Sequence, residues 1–184
     1  MSKKIKIAAI SGSLRKESYN SALIIAAKEL KPGDTEIEVL DISKVPLFND
    51  DERVKEIPES VKELSEKISS ADGLLIATPE YNYSIPGILK NAIDWISKIP
   101  TQPFKAKPTA IMGATPGMLG TVRAQVHLRQ ISLALNLDVL NSPEVYVTLA
   151  KDKFDSSGRL VHEQTREIIR KLIAGLREKI ESAS

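Results

Sequence analysis

The sequence predicts an α/β protein: a doubly wound, five-stranded parallel sheet with helices on both faces. Two patterns predict it. Apolar, β-branched runs alternate with longer amphipathic stretches, and several runs are apolar at consecutive positions, as in Ile7-Ala8-Ala9-Ile10 and Leu74-Leu75-Ile76-Ala77. Strands of that kind suit a central sheet covered on both sides. The 184 residues hold no repeat, low-complexity tract or Gly/Ser linker, so residues 1–184 read as a single domain.

Taken in order, the first strand is expected over residues 5–10, entered directly from Met1 to Lys4 without a signal-peptide-like apolar stretch. A helix over 21–30 follows, then a strand over 36–40. Pro58 suits the first turn of a helix over 59–70, which leads to a strand over 73–78. Pro86 opens a helix over 86–97, a strand follows at 109–112, and a helix at 121–135 leads to the last strand at 145–148. The final helix, 163–182, repeats apolar residues at Ile169, Leu172, Ile173, Leu176 and Ile180. Gly175 interrupts it at a cost of about 1 kcal/mol relative to Ala and reads as a packing contact.

Composition narrows the chemistry. The chain has no cysteine, which removes thiolate nucleophiles, Cys-ligated metals and protein dithiol cycling. His127 and His162 lie 35 positions apart, with no metal-ligand spacing. The net charge of +2 comes from interspersed acids and bases, so nucleic acid is not an expected partner. No run reaches the ~20 apolar residues of a membrane span, and a cytoplasmic protein is expected. The sequon Asn82-Tyr83-Ser84 reads as a chance match.

In an open parallel sheet, ligands bind beyond the carboxyl ends of the strands where the winding reverses. The loop after the first strand carries the hydroxyls of Ser11, Ser13 and Ser18, the amide of Asn20 and the guanidinium of Arg15, just before a helix N-terminus. Such a loop suits a phosphomonoester. It lacks both GxGxxG and a P-loop ending; the plainer alternative is a polar turn with Ser18 or Asn20 as helix cap. The loop after the third strand places Tyr81 and Tyr83, half of the four tyrosines, between Pro79 and Pro86. It suits the edge of a flat ring, or a rigid loop packed on a neighbour or subunit. The loop at 113–121 holds three of the nine glycines, which permit close backbone approach or simply a tight turn.

The segments GSLRKESYN at 12–20, PEYNYSIPGILKNAIDWIS at 79–97 and VRAQVHLRQ at 122–130 closely resemble the NADPH-dependent FMN reductases of flavodoxin-like fold, a group that includes bacterial quinone, chromate and azo-dye reductases. The resemblance covers nearly the whole chain. It implies noncovalent FMN, with Ser13, Arg15, Ser18 and Asn20 at its phosphate, beside the Ser11 hydroxyl that the loop itself offers. Pro79, Glu80, Tyr81 and Asn82 would border the isoalloxazine, and Thr115 and Gly117 would close its other side. NADPH or NADH would deliver hydride to the flavin, which would then reduce a small-molecule electron acceptor in a ping-pong cycle. Homodimers or homotetramers are implied, with Glu80 and Arg123 near a subunit contact. The third loop and Val126 depart from relatives, which often have serines and an aromatic residue there. Flavin chemistry needs no protein nucleophile, so it is compatible with a chain without cysteine. Two other readings are an electron carrier, usually strongly acidic unlike this chain, and a regulatory module that binds FMN without turnover.

Overall fold

A computed structural model describes residues 4–183; Met1 to Lys3 of the strand's leader, and Ser184, lie outside the described residues. The elements run β1 (Ile5–Ser11), α1 (Tyr19–Leu30), β2 (Thr35–Leu40), α2 (Asp50–Arg53), α3 (Glu59–Ser70), β3 (Gly73–Ala77), α4 (Gly87–Ser97), β4 (Pro108–Ala114), α5 (Val122–Ala134), β5 (Asp138–Val139), β6 (Val145–Val147), a 3₁₀ turn (Ala150–Asp152) and α6 (Glu163–Ala183).

All strand pairings are parallel, in the order β2-β1-β3-β4-β5, with β6 also on β4. Winding therefore reverses between β1 and β3, where a ligand crevice is expected. Alternate side chains of each central strand enter opposite layers. Ile7, Ala9, Leu75, Ala77 and Met112 pack with α1 and α6, whereas Ala8, Ile10, Leu74, Ile76 and Ile111 pack with α3, α4 and α5. Both layers are apolar, which explains the consecutive apolar residues. Gly175 is a packing contact, since a Cβ there would meet Leu140 Cδ2 at 3.3 Å.

The fifth strand differs from expectation. Its position beside β4 is shared by two short segments: β5 pairs with Pro108 and Thr109, and β6 with Met112, Gly113 and Ala114. After a last bond from the Leu140 N–H to Thr109 O at 2.8 Å, residues 141–144 leave the ladder, and Pro143 has no N–H to lend it. A two-residue strand carries no periodicity, so only the 145–147 part was legible. The short α2, capped by Asn49 Oδ1 on the Asp51 N–H, likewise escaped the pattern.

Candidate functional site

The three loops follow the neighbouring strands β1, β3 and β4 and lie at the carboxyl end of the sheet. The Gly12 N–H donates to Ala77 O at 2.8 Å, and a Cβ on Gly12 would meet Leu89 and Pro79 side-chain atoms at 3.2 Å, so the first loop lies directly against the start of the second. Ser18 is the N-cap of α1: its Oγ accepts from the Ser21 N–H at 3.4 Å. The first-turn amides of α1 have no acceptor within the helix and carry its positive dipole end. Ser11 Oγ is 2.9 Å from Ser21 Oγ, and the Ser13 hydroxyl accepts from the Arg15 N–H at 3.4 Å. Arg15 is exposed, and its guanidinium folds onto its own loop, donating to Glu17 O at 2.9 and 3.2 Å.

Beside this loop are two depressions. One, of about 340 Å³, runs from Arg15, Ser18 and Tyr19 to the turn at 155–158. In that turn Asp155 accepts from the Ser157 hydroxyl and from the Ser157 and Arg159 N–H groups, which hold its carboxyl below the usual range. The other, of about 360 Å³, places Ser11, Ser13 and Arg15 opposite Asp41. Hydrogen bonds from Ser43 depress the Asp41 carboxyl. A further cavity, of about 330 Å³, lined by Ile96, Phe104 and Leu135, opens at the opposite end of the sheet and contains none of the predicted residues.

The second loop is a two-residue hairpin. Tyr81 and Ser84 exchange backbone hydrogen bonds of 2.9 and 3.0 Å, while Asn82 (φ 50°) and Tyr83 (φ 67°) occupy the left-handed region of a type I′ turn. Asn tolerates that conformation; Tyr is strained by it, at a cost of order 1 kcal/mol. Neighbouring groups hold the turn. Arg123 stacks its guanidinium 4.0 Å over the Tyr83 ring, and Ser84 Oγ lies 3.0 Å from His127 Nδ1. Glu80 Oε2 accepts from the Arg123 and Ala124 N–H groups at 3.0 and 3.3 Å, so the carboxylate caps α5. Glu80 and Arg123, expected near a subunit contact, are thus engaged with each other within one chain.

The third loop is fixed from below. Gly113 has room for no side chain: a Cβ would lie 2.0 Å from Thr121 Oγ1 and 2.5 Å from Thr78 O. Thr115 donates its N–H to Val147 O, accepts from the Ala150 N–H, and its hydroxyl accepts from the Gly117 N–H at 3.3 Å. Asn20 does not sit among exposed donors. It is 3% exposed, its Nδ2 donates to Ala114 O at 3.0 Å, and its Oδ1 accepts from the Ala114 N–H at 2.9 Å.

The structure therefore brings Ser11, Ser13, Arg15 and Ser18 to one loop, Pro79, Glu80, Tyr81 and Asn82 to the adjoining hairpin, and Thr115 and Gly117 to the loop behind α1. Sequence reasoning missed the Arg123–Tyr83 stack, the Asp155 turn and the tie from His127 to the hairpin. His162 stands just before α6, where its Nδ1 accepts from the Thr165 N–H. Among the described residues no cluster of His, Asp or Glu suits a metal ion, and no helix is long and apolar enough to cross a membrane.

Strand order 2-1-3-4-5, with a polar serine-rich loop after β1 and an aromatic hairpin after β3, defines a protein of flavodoxin-like fold. Residues 5–152 match the model of the NADPH-dependent FMN reductase family, to which the chain belongs. It is 50% identical to an NAD(P)H-dependent FMN reductase of Pseudomonas aeruginosa over 96% of this chain and 95% of that one. Identity to a quinone reductase of Escherichia coli is 40%, over 90% and 89% of the two chains. A solved flavoenzyme NAD(P)H:(acceptor) oxidoreductase from Paracoccus denitrificans superposes with a TM-score of 0.88 at 34% identity, covering 97% and 98%. The chain is accordingly an NAD(P)H-dependent oxidoreductase that uses FMN.

Proposed function

We propose that the chain, acting as one domain, binds FMN across the three loops and passes electrons from NAD(P)H to quinones, azo compounds, chromate or free flavin by a ping-pong cycle. The first loop carries this reading. Exposed Arg15 and the hydroxyls of Ser11, Ser13 and Ser18 surround a helix N-terminus, the chemistry a phosphate dianion needs. The fit extends beyond it: Gly12 lets the phosphate loop and the hairpin touch, while Thr115 and Gly117 form a slim wall that a ring can approach.

When bound, FMN supplies the redox chemistry itself, accepting a hydride and delivering two electrons. The chain's residues bind and orient. Arg15 turns from Glu17 O to the phosphate. Pro79, Glu80, Tyr81 and Asn82 border the ring, and the Glu80 carboxylate holds the hairpin on α5 while its backbone faces the ligand. Quinones lead the acceptors, because the E. coli relative is a quinone reductase. Exposed apolar Met118, Val126 and Leu133, 75%, 55% and 82% exposed, support a homodimer or homotetramer, and the expected setting is cytoplasmic.

Steady-state kinetics with varied NADPH, NADH and quinone on FMN-loaded protein, with light scattering for assembly, supply the test. Parallel double-reciprocal lines and a mass of two or four chains are expected. Intersecting lines would contradict the ping-pong cycle, and nicotinamide oxidation below the rate of free FMN would contradict the enzyme reading.

A further inference from the structure

We propose that Asn20 is a positioning residue, which sets the spacing between the phosphate loop and the Thr115–Gly117 wall instead of gripping the phosphate with its side chain. This rests on the FMN reading above. The residue is the second of α1, and its carboxamide reaches across 94 positions of sequence to the last residue of β4. There it makes both hydrogen bonds that a neighbouring peptide unit would make, donating to Ala114 O and accepting from the Ala114 N–H.

The reason a side chain is needed lies in β3. The β3–β4 ladder ends at Ala77 and Met112, with one further bond from the Thr78 N–H to Met112 O, and then Pro79 turns the chain away. Pro79 has no N–H to continue the ladder. Asn20 takes over at Ala114, two residues beyond Met112. A buried backbone pair left open at that point would cost about 1–3 kcal/mol per group.

The consequence for the site follows from where each end is anchored. α1 carries the capped N-terminus and the Ser11–Ser21 hydroxyl contact of the phosphate loop. Ala114 leads directly into Thr115, whose N–H and C=O are bonded to Val147 and Ala150. Asn20 thus joins the part of the site that would hold the phosphate to the part that would close on the ring. A ligand that spans both gains from their fixed spacing, whereas ligands that occupy one part alone do not.

Three ligands separate the possibilities: FMN and riboflavin, titrated by quenching of flavin fluorescence, and inorganic phosphate, titrated by competition with FMN, on the full chain freed of flavin. For Asn20→Ala the expected result is FMN weakened tenfold or more, with riboflavin and phosphate each within about twofold of wild type. Phosphate weakened in step with FMN would overturn the proposal in favour of a direct ligand, and three unchanged constants would overturn it outright. Asn20→Ser, which keeps a polar group there but ends one bond short of the atoms that reach the Ala114 peptide, keeps the question answerable if Asn20→Ala does not fold. Its FMN affinity should fall measurably below wild type, again with the fragments unchanged, and wild-type FMN affinity would overturn the proposal. Wild-type protein that takes up neither flavin would instead overturn the FMN reading, a distinct outcome.

Discussion

The loop after β1 and the hairpin after β3 sit side by side at the carboxyl end of the sheet and are built in opposite ways. Hydrogen bonds within the first loop are mostly local, and three of them are long: Ser13 N–H to Ser11 Oγ, Arg15 N–H to Ser13 Oγ and the Ser18 cap are each 3.4 Å, while the Arg15 guanidinium is held by the exposed Glu17 carbonyl of its own loop. The hairpin is tied to another element at several points, through Glu80, Tyr83 and Ser84 onto Arg123, Ala124 and His127. Under the proposed function the first loop meets an anion, and long internal bonds leave its donors available for one. A wall for a planar ring works by keeping its shape, and here even a strained Tyr83 is held in place.

Breaking the scaffold should have the largest effect. Gly113→Val forces a side chain into Thr121 and Thr78, and a loss of about 3 kcal/mol is expected, read as a lower urea midpoint. An unchanged midpoint would mean that the third loop is softer than its packing shows. Arg15→Ala attacks the available donors instead. It should weaken FMN by about one to two orders of magnitude, equivalent to roughly 1.5–3 kcal/mol, while stability stays within about 0.5 kcal/mol. If stability fell and FMN affinity did not, the contrast between the loops would be reversed.

Smaller changes sharpen the same contrast. Glu80→Gln removes the charge on the α5 N-terminus and should cost about 1 kcal/mol in urea unfolding. No cost would show that the hairpin does not depend on that cap. Asn82→Asp tolerates the same left-handed backbone but puts an anion beside the ring edge. It should disfavour the reduced flavin by about 1 kcal/mol, close to 20 mV for two electrons. A potential identical to wild type would place Asn82 away from the ring.

The smallest effect concerns the Asp155 turn beside the phosphate loop. Its carboxyl is depressed by hydrogen bonds from Ser157 and Arg159, so the ordered turn is favoured above the ordinary carboxylate value and that contribution fades as pH falls through the lowered one. Amide shifts of Ser157 and Arg159 should therefore titrate below about pH 3.9. Titration at or above that value would show the turn to be open.

Much of this was legible in the sequence because strands and loops leave local signals. Apolar runs marked both faces of the sheet, and the three loops followed from strand order alone. What escaped depended on partners distant in sequence. Nothing local to Asn20 points to Ala114, 94 residues on, and Glu80 meets α5 across 43 positions. Tyr83 in a turn position that favours glycine gave no warning either, since its conformation is sustained by Arg123 and not by its own preference. The split fifth strand was hidden for the opposite reason, being too short to show a period.

The most direct test of an FMN site with its phosphate on the first loop is a parallel titration of flavin-free protein with FMN and riboflavin, repeated on Arg15→Ala. One FMN per chain is expected, bound at least tenfold more tightly than riboflavin, with most of that advantage lost in the variant. Equal affinity for the two flavins in the wild type, or an advantage that survives the loss of Arg15, would contradict it.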